Sequence, residues 1–422
     1  MTSNADPASA GARSRIADPS RAAEGLQAIR WAKRHSPVVD GYLRTRLADG
    51  ALGGRRVALV VHLEAKTALL ATVLADAGAK VVVAGSNPLS TRDEIAAALV
   101  ASGIEVHSTH ASGYESWNDD LLAVADTQPE FIIDDGAELT LRMARHRPDA
   151  YQQLAGVSEQ TTTGVARLRA LHDAGRLPFP AMAANDAACK HLFDNRYGTG
   201  QSTVQAMLNL TNMLMPGKQV AVIGYGWVGR GLATYIRAMG GTPIVVEIDP
   251  IKALEAFMDG HQVATAAQAL PSADFVITAT GGVRAIGPRH FELLPEGVIL
   301  ANAGHHDLEI DVQALEVAAT SVTGVRDGIE RFDLPDGRGV HVLVHGALVN
   351  IAGGLGHPIE IMDLSFAVQG VGCHELARGG YDNGVHVISP DLDREIAAAK
   401  LAAHGLEVDR LSPDQVDQLP GF

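Results

Sequence analysis

Short apolar segments alternate with longer segments of helical spacing along most of this chain, and this alternation restricts the possible folds more than any other feature. From residue 55 onward, "RRVALVV", "AKVVVAG" and "EFIIDD" are typical of buried strands, whereas "EAKTALLATVLADAG" and "STRDEIAAALVASG" have the apolar spacing of helices. The pattern begins again at "KQVAVIGYGWVGRG". Because strands that alternate with helices form parallel sheets covered on both faces, the sequence predicts an α/β fold.

The second start of the pattern, near residue 200, predicts two doubly wound, Rossmann-like domains. The segment rich in Ala, Ser and Asp at residues 1–20 is typical of a mobile tail. We expect one domain to comprise residues 21–199 and 357–388, because the long helical segment "GHPIEIMDLSFAVQGVGCHELA" can cross back to it. Residues 200–356 form the other domain, and residues 389–422 a C-terminal helical segment.

Composition indicates a soluble enzyme that acts on a small molecule. The 422 residues have a net charge of −15, which disfavours nucleic acid and anionic membrane surfaces as partners. No apolar run approaches the length of a membrane span, and the N-terminus lacks a signal-peptide core. Two cysteines, Cys189 and Cys373, are too few for a disulfide framework, and the 17 histidines lack metal-ligand spacing. We therefore expect a reduced, cytoplasmic protein without a metal.

A glycine-rich turn predicts a dinucleotide site. Gly224, Gly226 and Gly229 follow an apolar strand and open a helix, which allows a pyrophosphate to approach the helix N-terminus. Glu247 ends the next strand, where a carboxylate binds the ribose hydroxyls of NAD and repels the 2′-phosphate of NADP. The series of strand, turn, helix, strand and acid is much more specific than the glycines alone, and it predicts NAD.

Two later turns are candidates for the same site. "FVITATGG" runs from a strand into a turn at Thr280, which can form a second wall for the cofactor. "NAGHHD" contains Asn302 and His305, which can reach the nicotinamide end. From spacing alone, a polar loop without a ligand explains "NAGHHD" equally well.

The segment "NDAACKHLFDNRYGTGQ" places Lys190 and Asp194 four residues apart, with Asn195 beside them, if it is a helix. Such pairs are common on helix surfaces, where they contribute little. A solvated surface pair is therefore the simpler interpretation of this segment when it is taken alone.

Taken together, the motifs resemble those of the S-adenosylhomocysteine hydrolase family over nearly the whole chain. The matching segments are "VSEQTTTGV", "NDAACKHLFDNRYG", "GYGWVGRG", "VEIDP", "NAGHHDLEID" and "GHPIEIMDLSFA". The resemblance implies a tightly held NAD that is regenerated in each turnover, a substrate domain made from both chain ends, and a homo-oligomer, either a dimer or a tetramer.

The resemblance also implies the role of each site residue. Lys190 and Asp194 match residues that flank the oxidised sugar hydroxyl, where a lysine beside a carboxylate can act as base and proton relay. His62 and Asp135 match the acid/base pair of the subsequent elimination, and His305 completes the catalytic set. The implied substrate-binding residues are Glu64, Lys66, Thr67, Gln160 and His357. The implied cofactor-binding residues are Thr161, Thr162, Thr163, Asn195, Gly224, Gly226, Val228, Gly229, Glu247, Thr280, Asn302 and Asn350.

Several positions depart from the family pattern, and most of them lie around the substrate. Gln160 stands in place of a glutamate that holds a ribose hydroxyl, and an amide both donates and accepts hydrogen bonds. Thr199 replaces a frequent cysteine, and His306 a usual phenylalanine. The C-terminus lacks the Lys- and Tyr-bearing tail of longer relatives, as in the short archaeal and thermophile branch. Glu64 and Lys66 leave the base open between adenine and hypoxanthine.

These departures lead to a prediction of redox-assisted β-elimination on a nucleoside sugar, with water as the leaving group. The product would be an exocyclic alkene of the angustmycin type, made by an adenine-nucleoside dehydratase of nucleoside-antibiotic biosynthesis. The alternative is hydrolysis of S-adenosylhomocysteine or S-inosylhomocysteine. A third hypothesis is an inactive NAD-binding regulatory paralogue, although the complete catalytic set disfavours it.

Overall fold

The computed structural model describes residues 7–418 and contains two sheets within that range. The strands are β1 (Arg56–Val61), β2 (Lys80–Gly85), β3 (Glu105–Val106), β4 (Phe131–Asp134), β5 (Gly156–Glu159), β6 (Pro180–Ala183), β7 (Gln219–Ile223), β8 (Thr242–Val246), β9 (Gln262–Val263), β10 (Phe275–Thr278), β11 (Ile299–Asn302), β12 (Ser321–Arg326), β13 (Ile329–Asp333), β14 (Gly339–Leu343) and β15 (Gly384–His386).

The helices cover both faces of the sheets and connect the two domains. They are α1 (Pro7–Arg13), α2 (Ala22–Arg34), α3 (Arg44–Arg46), α4 (Ala65–Asp76), α5 (Asp93–Ala101), α6 (Tyr114–Asp126), α7 (Glu138–His146), α8 (Pro148–Gln152), α9 (Thr162–Asp173), α10 (Ala188–Lys190), α11 (Thr199–Thr211), α12 (Trp227–Ala238), α13 (Pro250–Met258), α14 (Ala266–Ala269), α15 (Pro288–Phe291), α16 (Val312–Ala318), α17 (Val349–Ala352), α18 (Ile359–Arg378), α19 (Pro390–Ala403) and α20 (Pro413–Gln418).

The first sheet has seven parallel strands in the order β15-β6-β5-β4-β1-β2-β3. β1 and β4 lie at its centre, and their apolar side chains are buried on both faces, which explains why their sequences are continuous apolar runs. Helix α18 packs against β5 and β4 before β15 joins the sheet. The sheet is therefore built from both ends of the chain, and all its strands lie within residues 21–199 and 357–388.

The second sheet has eight strands in the order β12-β13-β14-β11-β10-β7-β8-β9, all within residues 200–356. The strands from β14 to β9 are parallel, as in a Rossmann-like domain, and β13 is antiparallel to both of its neighbours. The predicted α/β class is confirmed. In each sheet the carboxyl ends of the central strands form one edge, where ligands of such folds bind.

Two segments differ from the sequence predictions. The predicted mobile tail, residues 1–20, contains helix α1, and Arg15 donates a backbone hydrogen bond to Val106 beside β3. Burial of Ala10 and an ion pair between Arg13 and Glu105 hold this segment on the domain. Residues 1–6 of the predicted tail lie outside the described residues.

The segment around Lys190 is helical, but it is not a regular α-helix. After the short helix α10, residues His191–Gly198 form a π-helix that continues into α11. π-Helical turns are rare and are frequently found at functional sites, where they displace side chains from the regular helical positions. No helix among residues 7–418 combines the length and the apolar character needed to cross a membrane.

Candidate active site

Most of the residues selected from the sequence line one cavity of about 380 Å³, to which both domains contribute. A cavity of this size is within the range of small-molecule sites. The selected residues in its wall are His62, Glu64, Lys66, Thr67, Asp135, Gln160, Thr161, Thr162, Thr163, Lys190, Asp194, Asn195, Gly226, Val228, Thr280, His305, Asn350 and His357.

Four selected residues lie behind this wall. Gly224 and Gly229 shape the turn after β7: a Cβ on Gly229 would lie 2.0 Å from the Gly224 carbonyl oxygen, so only glycine fits there. Glu247 accepts backbone N–H bonds from Tyr225, Ile248 and Asp249. Asn302 is buried and organises its loop through bonds to the His306 and Gly346 carbonyls. These residues hold the turns in place, and their contact with a ligand remains a prediction.

Lys190 and Asp194 form a buried ion pair, not a surface pair. Lys190 Nζ lies 2.9 Å from Asp194 Oδ1 and 2.6 Å from Asn195 Oδ1, and both charged side chains are almost fully buried. Ser365 donates a hydrogen bond of 2.7 Å to Asp194 Oδ2. Burial opposes ionisation of Asp194, but the charge of Lys190 and the hydrogen bonds outweigh it and hold the pKa of Asp194 at about 2. Asp194 is therefore a fixed carboxylate beside the lysine.

A second group of proton-transfer residues lies in the same cavity. His62 Nε2 is 3.4 Å from Asp135 Oδ2, and His305 Nδ1 is 3.9 Å from Asp135 Oδ1. Ser90 is 2.8 Å from His62 Nδ1, and Ser86 donates to Asp135 Oδ2. Burial lowers the pKa of His305 to about 4 although Asp135 favours the charged form. His305 is consequently a neutral imidazole at neutral pH, able to accept or pass a proton.

The predicted base-binding end of the cavity is held by an ion pair between Lys66 and Glu64. Lys66 also donates to the carbonyl oxygens of Leu355 and His357. Burial lowers the pKa of His357, whose Nε2 is 2.9 Å from the Thr199 hydroxyl. The ion pair between Lys66 and Glu64 thus anchors the segment that connects the second domain to α18.

The cofactor end has the open turn and the free polar groups that a dinucleotide needs. A Cβ on Gly226 would meet no atom within 4 Å, so the backbone there faces open space, whereas a Cβ on Gly224 would lie 2.7 Å from the Ala279 oxygen. Asn350 is buried; its Nδ2 donates to Ser202, and its Oδ1 has no partner within residues 7–418. An unpaired amide oxygen in the cavity wall suits a carboxamide N–H donor such as that of nicotinamide. The residues present therefore fit NAD.

The residue set selected from the sequence omitted several members of these networks. Asn185 lines the cavity and accepts hydrogen bonds from Asn195 and Thr162. Ser365 and Ser86 each bind a carboxylate that the sequence had identified. Asn185 and Ser365 lie within motifs that had been recognised, "NDAACK" and "DLSFA", so their presence in those motifs was the available signal. Ser86 had no such signal, because only the sheet places it beside Asp135.

Two family models cover most of the chain. The model described as "S-adenosyl-L-homocysteine hydrolase" matches residues 13–151, and the model "S-adenosyl-L-homocysteine hydrolase, NAD binding domain" matches residues 195–356. Both matched ranges include residues that line the cavity described above. The second identifies residues 195–356 as an NAD-binding domain.

Curated relatives match over almost their full length. The chain is 45% identical over 411 residues to an S-inosyl-L-homocysteine hydrolase of Methanopyrus kandleri, which covers 96% of this chain and 97% of that protein. It is 44% identical over 403 residues to an adenosylhomocysteinase of Aeropyrum pernix (95% and 97%) and 43% identical over 393 residues to one of Thermotoga maritima (93% and 97%). The two family-model matches and these near-full-length identities lead to one conclusion: this chain belongs to the S-adenosyl-L-homocysteine hydrolase family and binds NAD.

Proposed function

We propose that this protein is an NAD-dependent hydrolase that splits S-adenosylhomocysteine or S-inosylhomocysteine into a nucleoside and homocysteine, reversibly. The observation that supports this most directly is the presence of two separate proton-transfer groups, Lys190 with Asp194 and His62 with Asp135, in the wall of one cavity. Cleavage of a thioether at C5′ needs two such groups, because one proton leaves a hydroxyl and another leaves carbon. The relatives also favour this reaction over water loss, since those cited above are all named as hydrolases of this type.

The first group handles the hydroxyl proton. When bound, NAD supplies the reversible two-electron oxidation of the sugar C3′ hydroxyl. Lys190 Nζ is held by Asp194 and Asn195, so as the neutral amine it can receive the hydroxyl proton. With a pKa of about 2, Asp194 stays ionised and stabilises the ammonium form of the lysine.

The second group handles the carbon-bound proton. A ketone at C3′ makes the neighbouring C4′ hydrogen acidic, and a base from the pair His62 and Asp135 removes it. Expulsion of the C5′ substituent then forms the C4′–C5′ double bond, and the leaving group can take the proton that the pair His62 and Asp135 removed from C4′, directly or through neutral His305 as a relay. Water adds to the double bond by the reverse proton movements, and reduction of the ketone regenerates the hydroxyl and the starting form of the cofactor.

A second candidate function is loss of water, as in the nucleoside dehydratase predicted from the sequence. Gln160 favours it: its Nε2 lies 3.3 Å from Asp194 Oδ2, while its buried Oε1 has no partner among the described residues. That oxygen can accept a bond from an additional substrate hydroxyl. Beside His62 and His305 lies a small cavity of about 20 Å³, bordered by Ser86, Asn87 and Ala347. This is enough for about one water molecule and suits a small leaving group.

The test is a parallel incubation of the NAD-loaded protein with three substrates. S-Adenosylhomocysteine and S-inosylhomocysteine are followed by thiol release, and a hexulose adenine nucleoside by loss of the mass of one water. Thiol release supports the hydrolase, and its dependence on the base resolves adenine from hypoxanthine. Water loss without thiol release would overturn the hydrolase and establish the second candidate.

Lys190→Ala is the matched control for both reactions. It should abolish either one. Because it leaves the buried Asp194 carboxylate without its counter-ion, it should also lower the melting temperature, so NAD binding is measured to show that the variant is folded. No turnover of any substrate by the wild-type protein, with undiminished NAD binding, would favour the third hypothesis of a regulatory paralogue.

A further inference from the structure

A fully buried carboxylate, Glu159, lies beneath the two loops that form opposite parts of the site. It is the last residue of β5 and pairs in register with Asp134 of β4. The residues that follow these two strands are Asp135 on one loop and the cofactor threonines on the other. Glu159 does not line the cavity, so it has no direct part in the chemistry proposed above.

Glu159 binds both loops at once. Its Oε2 accepts the backbone N–H of Ala137 at 2.8 Å, and its Oε1 accepts that of Gly136 at 2.9 Å. The same Oε1 accepts the backbone N–H and the hydroxyl of Thr161, at 2.8 and 2.9 Å. Four donors from two loops therefore converge on one carboxylate.

The 135–137 turn needs this support. Gly136 has a φ of +79° and Ala137 a φ of +56°, so two consecutive residues are in the left-handed region. That conformation is unfavourable for an alanine. The carboxylate binds both of their N–H groups. On the other side, a Cβ on Gly164, in the first turn of α9, would lie 2.1 Å from Glu159 Oε1, so only glycine leaves space for the carboxylate there.

A carboxylate is an expensive choice at this position, and an amide would not replace it. Burial, followed by the nearby Asp134 and Asp135 carboxylates, raises the pKa of Glu159, and the hydrogen bonds from Thr161 and Gly136 oppose this rise. Because all four donors point at its two oxygens, a proton on either oxygen would oppose a donor, and the geometry fits the ionised carboxylate. A glutamine would place an NH₂ group against a backbone N–H, so at least one of the two loops would lose its acceptor. Only an acceptor at both positions satisfies both loops.

The orientation of the Asp135 side chain depends on the turn that Glu159 holds. Asp135 Oδ1 has no hydrogen-bond partner within residues 7–418, although it faces His305 Nδ1 at 3.9 Å. Its orientation toward the cavity therefore depends on its backbone and on the bonds to Oδ2. We infer that Glu159 is a positioning residue: it aims Asp135 at the substrate carbon and ties that loop to the Thr161 loop of the cofactor site.

The inference rests on the proposed function for its kinetic part and is tested with three variants of the NAD-loaded full chain. Glu159→Gln replaces one of the two acceptor oxygens that bind the 136–137 turn and Thr161. Glu309→Gln is a comparison, because the bonds that the buried Glu309 accepts within residues 7–418 all come from the Thr280–Gly281 cofactor turn. Asp363→Asn is the stability control: this buried carboxylate does not line the cavity, and it accepts the N–H groups of Val38 and Val39 and a bond from the Lys400 ammonium.

Three quantities are measured: the C4′ hydrogen exchange with deuterated water, the absorbance of reduced cofactor after substrate addition, and the rate of NAD release. In Glu159→Gln we expect exchange to slow by about tenfold or more while the cofactor is still reduced, because the carbon base is misplaced. NAD release should be several times faster. Glu309→Gln should release NAD faster without slowing exchange relative to reduction, and Asp363→Asn should change only the melting temperature.

Equal loss of exchange and reduction in Glu159→Gln, or unchanged NAD release, would overturn the inference. If the wild-type protein shows neither cofactor reduction nor C4′ hydrogen exchange, the proposed function is refuted instead. The rate of NAD release from Glu159→Gln would then be the remaining test of whether Glu159 supports the Thr161 loop. If Glu159→Gln does not fold, Ala137→Gly is added, because glycine adopts the left-handed turn without strain. Failure of this double variant to recover folding or exchange would also count against the inference.

Discussion

Replacement of Asp194 by asparagine tests the central electrostatic feature of the site. Asp194 is fully buried and is held by Lys190, Ser365 and Gln160. Asparagine keeps the shape of the side chain but removes the charge. Lys190 then remains a buried cation without its counter-ion, since its other polar contact is the neutral Asn195. We expect the variant to lose both stability and turnover.

The pKa of Asp194 gives the magnitude of the stability loss. Lowering this pKa from 3.8 to about 2 corresponds to roughly 2 kcal/mol of folding free energy, at about 1.4 kcal/mol per pH unit. Loss of one partner of a buried pair costs about 3–5 kcal/mol where the remaining charge finds no compensation. The sign follows from the lowered pKa. The contribution is complete above pH 3.8, where the unfolded carboxyl is ionised, and it disappears as the pH falls toward 2.

A double-mutant cycle of Lys190→Met and Asp194→Asn, with guanidinium unfolding at pH 7, measures the coupling directly. We expect the two single losses of stability, added together, to exceed the loss in the double variant by about 2 kcal/mol or more. Turnover of Asp194→Asn should fall about a hundredfold or more. Ser365→Ala removes one donor only and should cost about 1 kcal/mol. A coupling near zero, or full activity in Asp194→Asn, would refute the buried-pair argument.

Three further predictions concern the cofactor turn, the substrate pocket and a contact between the domains. Gly226→Ala should melt like the wild type but bind NAD weakly by calorimetry, whereas Gly229→Ala should lower the melting temperature as well, because only its Cβ would strike the backbone. If Gln160 is a neutral replacement of the family glutamate, Gln160→Glu should increase kcat/KM for S-adenosylhomocysteine. If the Gln160 amide binds a larger sugar, the same change should decrease the rate of water loss. His306 Nε2 lies 3.2 Å from an Arg167 amino group, and burial, followed by Arg167, lowers the pKa of His306. Neutral His306 therefore supports its contact with Arg167 above the unfolded pKa of 6.5, and this support is lost as the pH falls through the lower folded pKa. KM should rise below pH 6.5 in the wild type and stay flatter in His306→Phe.

Local sequence patterns were sufficient for the strands and for the cofactor turn. "RRVALVV" became β1 and "EFIIDD" became β4, because a continuous apolar run bounded by polar residues has few conformations other than a buried strand. Gly229 was recognisable because its spacing reflects a contact with Gly224 only five residues away. Structural features that depend on residues close in sequence can therefore be predicted from the sequence.

Local patterns misjudged two segments whose structure depends on distant partners. Residues 7–20 are typical of a mobile tail in composition, but α1 is held by Glu105 and Val106, about 90 residues away. The spacing of Lys190 and Asp194 is typical of a surface pair, and only packing against α18, which provides Ser365, buries it. The resemblance to the family supplied the functional interpretation that spacing alone did not.

By itself, the sequence determined the α/β class, the NAD cofactor, the family and most of the residues in the cavity wall, because each is encoded in a short motif or in the order of motifs. The tertiary structure alone decided which of these residues touch. It placed His62, Asp135 and His305 in one group, left Asn302 behind the wall, and put Glu159 beneath both loops. The physical reason is that burial, charge pairing and the convergence of hydrogen-bond donors arise where strands far apart in sequence end side by side.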